Sequence, residues 1–433
     1  MSSENQENIS WNIVSKVLFR TAFCFFLLYA LFGGSASLLD LIPGAGAAVD
    51  RSIRVPMERL SQWVGIHLFH LTGPAAQLHI QATSDSALRW VAVAVMLAIS
   101  AIATLIWSAL DQRRENYRTL LAWFRLVIRL TLGVALLRYG FIKVFPIQFG
   151  PPPLAVLNEP VGNSSPTMLF WSLYGLNPTF VMTLGWTEVA AGLLLLFRKT
   201  AFLGAVFAMI VMTNVALLDI SFDVPVKLYS LSLLAMAFVL LVPEMGIMTR
   251  LFLSHQPVRA VGTWGPATSR RTGRLFLLGL EVLVAVLACW QYSTGTLSVW
   301  RMKSNAMHDP ASITGGWVIQ GDAKGLVGGN GSQIVAIYFD PNSDTYLRAA
   351  DGSLWRSRAI YDRAHQRLRI LYEVVGMLMF TVEQPDADHL TLISQGPTVT
   401  QLSTLRMDRL PLPKTYPLLN HEFHWTNEFG PLR

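Results

Sequence analysis

Seven apolar stretches dominate the first two thirds of the chain, and short polar segments separate them. Each stretch is about 20 residues long, the length that an α-helix needs to cross the hydrocarbon core of a bilayer. The pattern therefore predicts seven membrane-spanning helices, at 14–33, 88–110, 119–142, 179–197, 200–220, 225–243 and 274–292. We expect the first to be retained, because the preceding MSSENQENIS is acidic where a signal peptide is basic.

From Trp317 onward the hydrophobic period changes from helical to two. Short β-prone stretches alternate with turn signals such as Asp340-Pro341-Asn342-Ser343. The predicted strands are 317–322, 333–340, 344–349, 354–361, 367–373, 377–383, 389–394 and 399–407. Eight strands with hairpin-length connections predict an up-and-down meander that can close as a small lipocalin-like barrel.

These patterns divide the chain into a helical and a β part. We assign residues 1–292 to a transmembrane helical domain with a core at about 119–243, 293–316 to a linker, 317–410 to the β-meander domain, and 411–433 to a C-terminal tail. We expect the tail to dock on the β-domain or the membrane through its aromatic residues. The alternative is a metal site, since the tail contains His421, Glu422, His424 and Glu428, but their spacing matches no zinc signature.

The segment from Arg54 to Gly73 places apolar residues on one helical face and is too short to span, which predicts a helix lying in the membrane interface. It carries His67 and His70 at a spacing that suits a metal ion, but no third ligand is apparent. Plain interfacial histidines are the favoured interpretation. We therefore predict no metal site.

Composition agrees with a membrane protein. Of 433 residues, 52% are hydrophobic and only 14% charged, against about 25% charged in a soluble domain, and the mean hydropathy is +0.42. The net charge of +7 belongs entirely to residues 1–292, where basic residues report topology. We expect the partner to be the lipid bilayer and exclude nucleic acid.

The basic residues also predict the orientation. Loops 111–118, 198–199 and 244–274 carry ten Lys/Arg, whereas the alternate loops 34–87, 144–178 and 221–224 carry three. Because basic loops stay in the cytoplasm, we expect a cytoplasmic N-terminus and an extracytoplasmic β-domain. The expected location is the bacterial cytoplasmic (inner) membrane, as a multi-pass protein.

Ionisable residues inside predicted spans are candidates for function, because burying them in hydrocarbon is costly. Glu188 lies at the centre of its span and is the candidate catalytic residue. The candidate ligand-binding residues are Arg138, Lys143, Asn214, Asp219, Asp223 and Lys227. If the third to sixth spans form one bundle, these groups converge in its outer half. The resulting prediction is a polar pocket that opens toward the outer face.

Structural explanations compete with this interpretation. Asp223 can cap the sixth helix, Pro225 fits a helix's first turn, and Asp223 with Lys227 forms an ordinary i, i+4 pair. Lys143 and Arg138 can snorkel to the interface or bind lipid phosphate, and Arg20 in the first span can snorkel likewise. No such explanation applies to Glu188. Glu281, Arg125 and Arg129 lie nearer the cytoplasmic side and carry less weight.

Residues 138–244 resemble the larger, multi-span members of the DoxX-like membrane family. The resemblance rests on RYGFIKVFPIQFGPP, SSPTMLFWSLYG, WTEVAAGLLLLFRKTAFLGA and NVALLDISFDVPVKLYS, and the final FHWTNEF is similar too. The first span and following loop resemble more faintly the membrane-embedded module of vitamin K-dependent gamma-carboxylases. The segment ATSDSALRW departs from the family, because it lacks a Gly-rich acidic stretch before the second span.

The resemblance implies a four-helix membrane unit and, in some members, a subunit of a quinone-linked oxidoreductase or a redox-stress complex. It brings no catalytic residue list. Under a redox interpretation the bundle holds a quinone or a similar lipid-soluble ligand, and Glu188 exchanges protons with it. The redox partner is then a second protein, since the sequence shows no haem, flavin or iron–sulfur motif. The alternative is a non-enzymatic scaffold that binds lipid or a partner helix and presents the β-domain.

Overall fold

The structure is a computed structural model. It describes residues 10–32, 38–76, 85–252, 264–266, 270–308, 313–321, 326–341, 344–372, 376–395, 404–413 and 416. The chain forms two compact units, residues 1–145 with 182–296, and residues 146–181 with 297–433. Residues 146–181 lie within the helical domain predicted from sequence, but they belong to the unit that contains the β-domain.

The helices account for most of the described chain. They are α1 Ile13–Phe32, α2 Ala45–Val49, α3 Val55–His67, α4 Ala87–Leu110, α5 Arg118–Val144, α6 Leu154–Leu157, α7 Pro166–Gly175, α8 Pro178–Leu196, α9 Ala201–Ser221, α10 Lys227–Leu241, α11 Met245–Phe252 and α12 Arg271–His308. Short 3₁₀ turns occupy Leu38–Leu41, Gly73–Ala76, Val161–Asn163 and Val242–Glu244, and a π-helical turn occupies Asp50–Arg54.

Seven helical segments in the described chain are long and apolar enough to cross a membrane. They are α1, α4, α5, α8, α9, the segment Lys227–Arg250 that begins with α10, and α12. The seven predicted spans are therefore confirmed, with ends that differ by a few residues except in α12. The α3 helix also matches the helix predicted at 54–73, but it ends at His67.

The helix that contains the last predicted span, 274–292, continues beyond residue 292 to His308. The sequence after 292 becomes polar, and that change was interpreted as the start of a linker. However, STGTLSVWRMKSNAMH contains no proline, and its single Gly295 lies in open space. An isolated glycine weakens a helix without ending it. Most of the predicted linker 293–316 is therefore helical.

The α5 helix lies at the centre of the helical unit, and most of its residues from Phe124 to Val144 are buried. It approaches α8 closely at two pairs of glycines, Gly133 with Gly192 and Gly140 with Gly185. A Cβ atom added to Gly140 would lie 2.9 Å from the Gly185 carbonyl oxygen, and one added to Gly185 would lie 2.7 Å from the Gly140 carbonyl oxygen. Small residues at such positions allow two membrane helices to pack backbone against backbone.

The β-domain is a closed antiparallel barrel with strand order β1 to β8. Its strands are β1 Gly315–Gln320, β2 Ile334–Phe339, β3 Asp344–Ala349, β4 Leu354–Asp362, β5 Arg367–Tyr372, β6 Gly376–Glu383, β7 His389–Ser394 and β8 Thr404–Arg409. β1 pairs with both β2 and β8, which closes the barrel. The predicted up-and-down barrel is confirmed. Residues 399–403 of the predicted last strand lie outside the described part of the chain.

The barrel interior is an apolar core. Alternate side chains of the strands point inward and are almost fully buried, including Trp317, Ile337, Leu368 and Leu392. At the junction of β1 and β8 the Arg409 guanidinium stacks 4.4 Å from the centroid of the Trp317 ring. Arg409 also donates to the Thr314 carbonyl oxygen. This aromatic and cationic contact joins the first strand to the last.

One outer face of the barrel is covered by the chain itself. Ala336, Tyr338 and Tyr346 on β2 and β3 form a small buried cluster with Leu154 and Ala155 of α6. Polar contacts fix this cover. The Asp340 Oδ1 accepts from the Leu154 amide at 3.0 Å, Arg348 pairs with Glu159 at 3.0 Å, and Asn158 donates to the Tyr416 hydroxyl at 2.7 Å. Of the predicted docking tail, residues 414–415 and 417–433 lie outside the described residues.

Candidate functional site

Lys143 and Glu188 form a buried ion pair between α5 and α8. The Lys143 Nζ donates to both Glu188 carboxylate oxygens, at 2.8 and 2.9 Å, and the two side chains are only 10% and 5% exposed. Each group neutralises the other where water is scarce, which is how a buried charge is tolerated. Both residues were candidates from sequence, and the structure brings them together.

Asp219 lies beside this pair, near the end of α9, and is buried. The charges of Lys143 and Lys227 act on its carboxyl group, and the Ser230 hydroxyl of α10 lies within its hydrogen-bonding reach. Its Oδ2 atom has no hydrogen-bond partner among the described residues. A buried carboxyl oxygen without a partner costs free energy, so it marks a position where a ligand group or proton is favourable.

Aromatic rings from α5 and α10 adjoin these polar groups. The Tyr139 and Tyr229 rings lie 5.4 Å apart between centroids, and the Lys143 Nζ lies 5.9 Å from the Tyr139 ring. We call Tyr139, Lys143, Glu188, Asp219 and Ser230 the Lys143 cluster. Tyr139 and Ser230 were not candidates from sequence, although Tyr139 precedes Lys143 by one helical turn and that spacing was a usable signal.

Lys227 begins α10 and its charge is balanced. It pairs with Asp223 at 2.6 Å, as the i, i+4 spacing predicted, and lies 3.7 Å from Asp85. The predicted capping by Asp223 is wrong, because Asp223 has a positive φ of 52° and its side chain is 81% exposed. Pro225 also precedes the helix rather than occupying its first turn.

Asp85 caps α10 instead of Asp223. Its carboxylate accepts from the backbone amides of Lys227 and Leu228, at 2.7 and 3.0 Å. Asp85 lies in ATSDSALRW, the segment that leads into the second span. Because the cap comes from 142 residues earlier in the chain, no local sequence rule identifies it. The same contact places a carboxylate beside the Lys227 ammonium, where the helix N-terminus disfavours a cation.

Two predicted ligand residues lie away from the Lys143 cluster. Asn214 is exposed on α9. Arg138 is half-buried and lies close enough to Tyr292 of α12 for its charge to act on that hydroxyl. The predicted convergence therefore holds for Lys143, Glu188 and Asp219, with Lys227 and Asp223 nearby, and fails for Asn214 and Arg138.

Two more ion pairs hold the opposite end of α5. Arg129 pairs with Glu281 of α12 at 2.5 Å, and Arg125 pairs with Glu244 at 2.8 Å. The Arg125 guanidinium also lies 4.0 Å from the centroid of the Trp264 ring. These residues carried little weight as site candidates, and their pairing with carboxylates supports a structural role. The Arg125 Nε and the Arg129 Nε and Nη1 have no hydrogen-bond partner among the described residues.

Arg20 is buried by the protein itself and is 4% exposed. It donates to the Tyr117 hydroxyl, to the Ser108 hydroxyl at 2.7 Å and to the Asp111 carbonyl oxygen at 3.0 Å. The Tyr117 hydroxyl in turn donates to the Asp111 carboxylate at 2.8 Å. This network joins α1 to the α4–α5 connection.

The described residues contain no group of three metal-capable side chains. The His67 ring contacts the Trp63 carbonyl oxygen at 2.8 Å, within the same helix. The proposed metal alternative for His421, Glu422, His424 and Glu428 lies outside the described part of the chain. The Lys143 cluster itself combines an unpartnered carboxyl oxygen of Asp219 with a buried ion pair.

Comparison with known proteins gives one informative match. The chain is similar to the uncharacterised protein YwoB of Bacillus subtilis (strain 168), with 31% identity over 129 residues that cover 30% of this chain and 79% of the relative. No family model matches the chain, and the search of solved structures gave no significant match.

Proposed function

This membrane chain belongs to the same family as YwoB, and we propose that it is a quinone-linked component of a membrane redox system. The observation that carries the proposal is the unpartnered Oδ2 of Asp219, buried beside the Lys143–Glu188 pair. The DoxX-like resemblance of residues 138–244 supports it. The ligand is a quinone or another lipid-soluble molecule with polar oxygens.

The Lys143 cluster fits such a ligand in its chemistry. When bound, a quinone supplies the uptake and release of electrons together with protons. Asp219 holds or passes a proton at Oδ2, and the positive charge of Lys143 acts on its carboxyl group. The Tyr139 and Tyr229 rings offer flat apolar surfaces suited to an aromatic headgroup.

The structure changes the role first given to Glu188. Both of its oxygens accept from the Lys143 ammonium, so Glu188 is already saturated by a cation. We assign Glu188 the task of fixing Lys143, and Lys143 that of stabilising an anionic ligand oxygen. Asp219 replaces Glu188 as the candidate proton-exchanging group, because the Asp219 Oδ2 has no hydrogen-bond partner among the described residues, whereas both Glu188 oxygens accept from Lys143.

The finer localisation belongs to the same proposal. We place the protein in the bacterial inner membrane, with a cytoplasmic N-terminus and an extracytoplasmic barrel. Support comes from the ten basic residues of the predicted inner loops against three in the outer loops. The proposal includes a separate redox partner protein that exchanges electrons with the ligand.

The test is to identify the ligand in the purified full-length protein. Lipid extracts of the detergent-solubilised protein are analysed by mass spectrometry for quinone, and binding of added quinone is measured by tryptophan fluorescence quenching. We expect the wild type to bind quinone and Asp219→Asn to bind it at least about tenfold more weakly, the effect of losing one buried charged contact.

Asp223→Asn is the matched control. It removes the same charge as Asp219→Asn, but from an exposed side chain four residues further along the chain. It should bind quinone like the wild type. Absence of co-purified quinone together with no binding of added quinone would contradict the proposal. Equal binding by Asp219→Asn and the wild type would remove Asp219 from the site.

A second function, binding of another membrane chain without catalysis, is favoured by Asn214. This amide lies on an exposed α9 face between apolar Ile210 and Leu217, and an amide in hydrocarbon gains by bonding to a neighbouring helix. The neighbouring Thr213 bonds its own Met209 carbonyl oxygen at 2.7 Å, so it needs no partner. Under this function Asn214→Leu, but not Thr213→Val, should lose a co-purifying subunit.

A further inference from the structure

The outer surface of β4, β5 and β6 combines exposed apolar and cationic side chains. The strand register aligns Arg358 with Leu371, and Leu371 with Met377; the next row aligns Ile360 with Arg369, and Arg369 with Met379. Arg367 follows on β5. We call these seven residues the β4–β6 outer face.

The apolar members of this face are unusually exposed. Ile360 is 48%, Leu371 59%, Met377 55% and Met379 45% accessible. These residues are neighbours in the sheet, so they form one contiguous patch rather than scattered positions. The barrel already covers its other apolar outer face, at Tyr338 and Tyr346, with residues of its own chain. No described residue covers the β4–β6 outer face in that way.

The positive charge of the β4–β6 outer face indicates the chemistry of its binding partner. Arg358, Arg367 and Arg369 are exposed and make no ion pair with any described residue. Among the described residues, Asp362 and Glu383, at the ends of β4 and β6, are the acidic groups on this side. A surface of arginines between aliphatic side chains is complementary to a layer of phosphates over hydrocarbon. Guanidinium groups bind phosphate in a bidentate manner.

A short connection joins the helix of the last candidate span to the barrel. The candidate span within α12 extends to Asn305, α12 itself ends at His308, and β1 begins at Gly315. Six intervening residues reach at most about 25 Å when fully extended. The connection between the end of α12 and the first strand of the barrel is therefore short.

We propose that the β4–β6 outer face binds the anionic phospholipid headgroups of the membrane in which the protein is embedded. Arg358, Arg367 and Arg369 contact lipid phosphates, while Ile360, Leu371, Met377 and Met379 enter the boundary between headgroups and acyl chains. The binding site is independent of the Lys143 cluster and of any ligand held there.

Site-specific fluorescence on the full-length protein tests this proposal. Cys24 and Cys289 are replaced by alanine, and an environment-sensitive dye is attached through Met379→Cys or, separately, Met377→Cys. Gln320→Cys, on the opposite strand β1, provides the control position because its side chain is exposed. The labelled proteins are placed in nanodiscs of phosphatidylcholine with or without phosphatidylglycerol, and quenching by a lipid-attached nitroxide is compared with quenching by aqueous iodide.

We expect the nitroxide to quench both β6 labels, and to do so more strongly when phosphatidylglycerol is present. The Gln320→Cys label should respond to iodide alone. Replacing Arg358 or Arg369 by glutamine should lower the apparent binding constant to the anionic surface by about fivefold for each arginine. Arg406→Gln, an exposed arginine on β8, should leave it unchanged.

Two results would overturn the proposal. One is equal iodide quenching at the β6 labels and at Gln320→Cys, which means that the face is in water. The other is lipid quenching that does not depend on phosphatidylglycerol or on the arginines. Circular dichroism of each variant verifies that the barrel remains folded.

Discussion

At the scale of single residues, the buried Lys143–Glu188 pair is a strong constraint on the helical unit. A charge that loses its partner in a buried site destabilises a protein by about 3–5 kcal/mol, whereas replacing both charges by apolar groups is often neutral. The pair therefore contributes little net stability, yet it is expensive to break. Its presence favours a role in holding a charge at a defined place.

We predict that Lys143→Met and Glu188→Gln each lower the free energy of unfolding by about 3 kcal/mol, and that the double variant loses much less than the sum. Denaturation of the detergent-solubilised protein measures this coupling. Arg89→Met is the control, because its pair with Glu58 is partly exposed and should contribute at most about 1 kcal/mol. Additive losses at residues 143 and 188 would contradict the prediction.

Asp340 predicts a pH dependence in the barrel unit. Burial raises its pKa from 3.8 to about 6, while the amide of Leu154 opposes the shift. A raised pKa means that the folded state binds the proton more tightly than the unfolded state. The free energy of unfolding should therefore rise as the pH falls from about 6 toward 4, by at most about 1.4 kcal/mol per pH unit.

Asp340→Asn should flatten this part of the pH profile, because an amide stays neutral and still accepts from Leu154. Thermal denaturation of the wild type and variant between pH 4 and 7 is the measurement. Asp388→Asn, in an exposed turn, should keep the wild-type profile. An unchanged slope in Asp340→Asn would mean that another group controls the transition.

At the scale of elements, α5 organises the helical unit. Cations near both ends pair with acids from other elements, Arg125 and Arg129 at one end and Lys143 at the other. Arg125 and Lys143 lie about 27 Å apart along the helix axis at 1.5 Å per residue. The two charged layers therefore lie near opposite ends of α5, and its glycine contacts with α8 fill the space between them.

We predict that Gly140→Ala and Gly185→Ala destabilise the protein, because the new methyl group meets the backbone of the facing helix. The expected loss is about 1–3 kcal/mol, the usual cost of overpacking. Gly279→Ala in α12 has nothing within 4 Å of its added Cβ and should be neutral or stabilise by up to about 1 kcal/mol. Thermal unfolding in detergent compares the three variants, and equal effects would disprove the close contact.

At the scale of the whole molecule, seven spans place the two ends of the helical region on opposite sides of the membrane. We predict that a phosphatase reporter, active only outside the cytoplasm, is active when fused after residue 308 and inactive when fused after residue 199. Fusion within loop 221–224 should also be active. Inactivity after residue 308 would refute the proposed orientation or the seven-span topology.

The sequence by itself determined the elements. Apolar length specified the seven spans, since a bilayer requires about 20 apolar residues from each. Alternation specified the eight strands, since side chains on a strand alternate between two faces. The i, i+4 spacing of Asp223 and Lys227 also predicted their ion pair correctly. These signals are local in the chain, so one sequence suffices to detect them.

Only the tertiary structure decided the partners. Asp85 caps a helix 142 residues later, Lys143 finds Glu188 45 residues away, and Arg20 is held by the α4–α5 connection. The orientation of Asn214 and Arg138 likewise depends on how each helix is rotated in the bundle. Side-chain partners across long separations follow from packing, which residue pattern alone does not encode. Packing is therefore what singled out Asp219 as the unpartnered carboxylate of the site.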